Sequence, residues 1–170
     1  GQSADGVELK RFTLTRGALQ VSILEYGAII ERIAFQLDGE VYDVAKRLNH
    51  LADYEADRSY VGATVGPIAN RLSKSTYPLH GQSVVLSSNE GPNHLHGGAG
   101  GLHQMTWQGR AHVDVRGPSV QLECVHEHGT DGYIGNLYVR ATFTIGVNDV
   151  LHVDYEAVSD QERPVNLTSH

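Results

Sequence analysis

The chain has 170 residues, with thirteen Lys and Arg against twenty Asp and Glu for a net charge of -7; this balance opposes a sequence-independent grip on nucleic-acid phosphates. Hydrophobic residues make up 40% and charged residues 19%, which predicts a packed globular body rather than a disordered chain. No apolar run approaches the roughly 18 to 20 residues that cross a bilayer, and the opening Gly1–Gly6 lacks the basic and apolar regions of a secretory leader. The expectation is a soluble, cytoplasmic protein with neither nucleic acid nor membrane as partner.

Read in order, the chain is strand after strand, with Val, Ile, Leu and Tyr at period two and Gly, Asp or Asn between runs. Residues 19–24 alternate, residues 28–37 are apolar enough for a buried strand, and Asp38-Gly39 turns the chain into residues 41–44 as a hairpin. Asn49 is a candidate cap for a short helix carrying Leu51, Tyr54 and Glu55. The single cysteine, Cys124, falls in an alternating run and is expected as a buried thiol. Residues 138–145 put Val139, Ala141, Phe143 and Ile145 on one face; Asn148-Asp149 then reverses the chain into Leu151, Val153, Tyr155 and Ala157. With no repeat or linker, the pattern predicts one all-β domain, a β-sandwich or a related barrel.

Residues able to do chemistry gather in three places. Asn70 and Arg71 follow the small-residue run 62–69, which allows close approach of backbone or ligand; the guanidinium suits a polyol, or else a surface ion pair. Gly91 to Gly98 packs His94 and His96 between Pro92, Gly97 and Gly98. On an extended backbone two rings so spaced share a side, which fits an acid or a metal pair. A zinc cage would add His126 and His128, but the knuckle or carboxylate context of zinc sites is missing, and those two histidines are assigned to a polar loop. His170 ends the chain behind Asn166, Thr168 and Ser169, whose side chains can fix an imidazole tautomer. Trp107 either stacks on a sugar ring or fills the core, and the core is the better reading.

Taken together, residues 62–66 with Ala69-Asn70-Arg71-Leu72, then Asn93 to Gly98, then Asp131-Gly132-Tyr133 with Gly135-Asn136-Leu137, then Pro164 to His170, resemble the aldose 1-epimerase (galactose mutarotase) family, and Glu25-Tyr26-Gly27-Ala28 is similar to that family's opening strands. The resemblance covers nearly the whole chain and only the family's N-terminal half. It implies that residues 1–170 are part of one large antiparallel β-sandwich, truncated here. The implied activity is interconversion of the α and β anomers of free hexoses, without cofactor or metal.

That reaction needs a base for the anomeric hydroxyl proton and an acid for the ring oxygen, and an imidazole with a reference pKa near 6.5 suits the acid. By correspondence of motifs, His170 is the proton donor, His96 and Arg71 hold and polarise sugar oxygens, and Asn70 and His94 line or shape the loop around them. The family's basic Glu and a further sugar-binding Asp would lie beyond His170, so the isolated piece is expected to be inactive. Pro67 stands where the family often has Arg or another polar residue, and Ser169 where it commonly has Asn. A non-catalytic carbohydrate-binding domain of the same fold is the competing expectation.

Overall fold

The computed structural model describes residues 1–170 and is nearly all β. Its first sheet is β1 (Arg11–Arg16), β2 (Leu19–Leu24), β3 (Ile29–Leu37) and β4 (Glu40–Asp43), an antiparallel meander in that spatial order. A second meander comprises β10 (Gln108–Asp114), β11 (Gly117–His126), β12 (Leu137–Ile145) and β13 (Leu151–Ser159). Between them in sequence lie the helix α1 (Leu51–Ala56) and five short strands: β5 (Thr64–Val65), β6 (Arg71–Leu72), β7 (Thr76–Leu79), β8 (Gln82–Val85) and β9 (His94–Leu95). The strand β14 (Thr168–Ser169) closes the chain.

Period two explains how the two meanders meet. Leu14, Leu19, Val21, Ile23 and Ile30 from the first face Val120, Leu122, Cys124, Val139, Ala141, Phe143 and Ile145 from the second in one buried cluster, which Leu102 and Trp107 join. Each fully buried aliphatic or aromatic side chain there stabilises the sandwich by roughly 1.5–3 kcal/mol. Cys124 is a core thiol whose burial pushes its pKa up, and the Trp107 indole N–H donates to Leu102 O at 3.1 Å. The two expected hairpins are present as β3–β4 and β12–β13.

Two expectations need correction. The cap of α1 is His50, not Asn49: Asp53, at the third helical position, accepts the His50 backbone N–H at 3.0 Å, because that carboxylate reaches back three residues. His126 does not sit on a polar loop. It ends β11 in phase with Val120, Leu122 and Cys124, and its side chain is fully buried; only His128, two residues further, is exposed. No helix is long and apolar enough to cross a membrane.

The site depends on the crossing segments. β6 pairs with β9 through Arg71↔Leu95 and Leu72↔His94, β5 pairs with β14 through Val65↔Thr168 and Thr64↔Ser169, and His170 N–H donates to Ala63 O at 2.8 Å. Asn166 adds a parallel bridge to Ile68. Three sequence regions separated by dozens of residues thereby share one end of the sandwich.

Candidate active site

Four aromatic rings meet at that end. The ring centroids of His96 and His170 are 5.1 Å apart at 82°. Tyr60 lies 4.7 Å from His96 and 5.6 Å from His170, and 4.7 Å from His103. Asn70 and Arg71 adjoin the cluster, since the Asn70 backbone N–H donates to His96 Nδ1 at 3.0 Å. The groups selected from sequence, His96, His170, Asn70 and Arg71, are therefore neighbours. Tyr60, His103 and Glu90 were not anticipated.

Hydrogen bonding settles the protonation of His96. Its Nδ1 accepts an N–H and must carry a lone pair, so the proton of the neutral ring is on Nε2. Burial first, then His170 and Arg71, lower its pKa below the usual imidazole value. A neutral Nε2–H donor at pH 7 follows. His103 is buried more deeply, and burial pushes it down to about 4; its Nδ1 has no hydrogen-bond partner.

Arg71 is exposed, and its guanidinium forks onto Glu90, with Nε 2.9 Å from both carboxylate oxygens and Nη2 2.5 Å from Oε1. Asn93 Nδ2 also donates to Glu90 at 3.3 Å. These donors, Arg71 foremost, hold the Glu90 carboxyl below its ordinary range. Nη1 of Arg71 remains for a ligand.

His94 and His96 do not share a side, contrary to the expectation from their spacing. His96 is left-handed, with φ 52°, so the chain leaves the extended conformation of β9 at His96 itself. His94 is fully buried and pairs through Nδ1 with Ser87 O at 2.7 Å and through Nε2 with Tyr133 Oη at 2.8 Å. A carbonyl oxygen only accepts, so Nδ1 carries the proton and Nε2 accepts from the tyrosine hydroxyl. His94 shapes the loop, and the cage of His94, His96, His126 and His128 is not formed.

A cavity of about 390 Å³ adjoins His170 and Ser169 and is lined by Ile30, Ile33, Lys46 and Ser59 among others, a volume within the usual range for small ligands. A larger one, about 600 Å³, lies over β11 to β13. Its charged groups are spent on each other: Arg140 bonds Glu123 at 2.7 Å and Glu156 at 2.8 Å. It holds no imidazole, so the smaller cavity beside the ring cluster is the better candidate for chemistry.

Little in the sequence marks the missed residues. Glu90 reaches Arg71 only through the β6–β9 register. Tyr60 is carried by a turn whose signal is Asp57 two residues before Ser59, a common side-chain-to-backbone turn pattern.

A sequence model of the aldose 1-epimerase family matches residues 10–170. Galactose mutarotase of Sus scrofa is 34% identical over 163 residues, covering 95% of this chain and 46% of that protein; aldose 1-epimerase of Escherichia coli is 29% identical over 168 residues, covering 98% and 48%. Among solved structures, galactose 1-epimerase from Lactobacillus acidophilus superposes with a TM-score of 0.84 at 33% identity, over 95% of this chain and 47% of the other. An aldose epimerase homologue from C. elegans gives 0.87 at 26% identity, over 96% and 50%. The chain thus spans about half the length of the relatives it matches. On the match over residues 10–170, the chain belongs to the aldose 1-epimerase family.

Proposed function

We propose that the end of the sandwich carrying His96, His170 and Arg71 binds a free aldohexose, such as glucose or galactose, and that the intact protein interconverts its α and β anomers by opening and reclosing the ring. One observation supports this most directly: two imidazoles lie 5.1 Å apart, close enough to touch one monosaccharide, with the Arg71 guanidinium among the charges that act on His96. His170 donates a proton to the ring oxygen, while His96 offers Nε2–H to a sugar oxygen and Arg71 offers its free N–H groups. Asn70 acts through its backbone N–H, which sets the His96 tautomer.

The base must be a carboxylate with a free lone pair. Glu90 is committed to Arg71 and Asn93, and the resemblance to the family implies a basic Glu outside residues 1–170. The same commitment of Glu90 favours the second reading, a sugar-binding module, since an acid without a base binds but does not open the ring.

Polarimetry of freshly dissolved α-glucose and α-galactose with the intact protein separates the two. Mutarotase activity predicts a first-order approach to equilibrium faster than in buffer. Sugar-induced shifts of the His96 and His170 resonances without acceleration would leave only the binding module.

A further inference from the structure

Tyr60 occupies backbone space that a bulky aromatic residue rarely enters, with φ 58°, a conformation unfavourable for an L-residue with a side chain. The turn around it over-determines that conformation. Asp57 Oδ1 accepts the Ser59 N–H at 2.9 Å and its hydroxyl at 2.6 Å, Asp57 Oδ2 accepts the Val61 N–H at 2.9 Å, and Ala63 N–H returns to Tyr60 O at 3.1 Å. A segment held this firmly in an unfavourable region calls for a functional reason. The ring provides it: one phenol meets His96 and His103 edge to face, at 64° and 65°, and His170 in a tilted arrangement at 50°.

The geometry points to Tyr60 as a positioning residue that keeps His96 and His170 at a fixed separation and shields His96 from water, a role resting on the reading of those imidazoles as the sugar-handling pair. Two imidazoles this close resist being charged together. The groups facing His96 are His170, Arg71 and Glu90; Arg58 and Asp57 face Tyr60 from its own turn, and they and Asp131 face His103. All of them persist when only the phenol ring is removed.

The test is a titration of histidine Cε1–Hε1 resonances in the intact protein, selectively 13C-labelled, for the native sequence and for Tyr60→Phe, Tyr60→Leu and Tyr60→Ala. Tyr60→Phe keeps the ring and should leave the His96 midpoint in place. Tyr60→Leu and Tyr60→Ala should raise it by about half a pH unit or more. An unmoved midpoint in a folded Tyr60→Leu protein, or an equal rise in Tyr60→Phe, overturns the role.

If both ring-less variants fail to fold, nuclear Overhauser contacts between Tyr60 and the His96 and His170 Hε1 protons in the native protein decide, and their absence overturns it. Polarimetry on the same variants separates this inference from the function it rests on. A displaced pH profile with KM little changed supports positioning. A native protein without mutarotase activity defeats the functional reading while the titration still stands or falls by itself.

Discussion

His96 and Asn70 hold each other in place through two left-handed residues, φ 52° and 64°. The His96 N–H donates to Asn70 O at 3.1 Å while the Asn70 N–H returns to His96 Nδ1. Such a reciprocal clamp leaves the imidazole one tautomer. Directly after it, Gly97 has φ 91°, and a Cβ there would lie 1.8 Å from Gly66 O, so no side chain fits without moving backbone. Gly97→Ala should therefore destabilise the fold by more than about 2 kcal/mol, combining left-handed strain with the clash. Urea denaturation monitored by Trp107 fluorescence checks this; a midpoint within error of the native one would contradict the packing.

At the scale of elements, Glu25 joins the two meanders. Its side chain is buried, accepts the Lys10 N–H at 2.8 Å and the Gly109 N–H at 2.9 Å, and its backbone O accepts the Trp107 N–H at 2.7 Å. Removing the carboxylate leaves two partly buried amide donors without a partner, at about 1–3 kcal/mol each. Glu25→Ala should lower stability by about 2–5 kcal/mol, and Glu25→Gln, which keeps one acceptor oxygen, by clearly less. Equal losses in the two variants, read from chemical denaturation, would mean that packing rather than hydrogen bonding is at stake. The strands themselves were legible: alternation in residues 138–145 and 151–157 reflects a backbone whose side chains point to opposite faces at every step. The β6–β9 and β5–β14 pairs were not, because two-residue strands carry no period to read.

For the whole molecule, two buried imidazoles couple stability to pH. Burial holds both His103 and His126 down to about 4, whereas an unfolded histidine titrates near 6.5. Between those values the unfolded chain takes up protons that the folded chain refuses. Stability therefore falls as pH drops from about 6.5 toward about 4, by about 1.4 kcal/mol per pH unit for each group, and the loss levels off below that. Neither ring nitrogen of His126 has a hydrogen-bond partner, so His126→Phe should leave stability at pH 7 nearly unchanged and remove one imidazole's share of the acid slope. Urea midpoints at pH 7.5, 6 and 5 measure both; an unaltered slope in the variant would place the acid sensitivity elsewhere.

Alternating strands, the apolar core, the short helix and the motifs that carry the family were determined by sequence alone, since each is written in residues a few positions apart and follows from backbone periodicity. Tertiary structure alone decided that His94 turns into the core while His96 packs against Tyr60 and His170, that Glu90 captures Arg71, and that Tyr60 stands among three histidines. Those facts depend on loop crossings and left-handed turns. Such contacts join residues that are remote in the chain, and no local pattern encodes the register that brings them together.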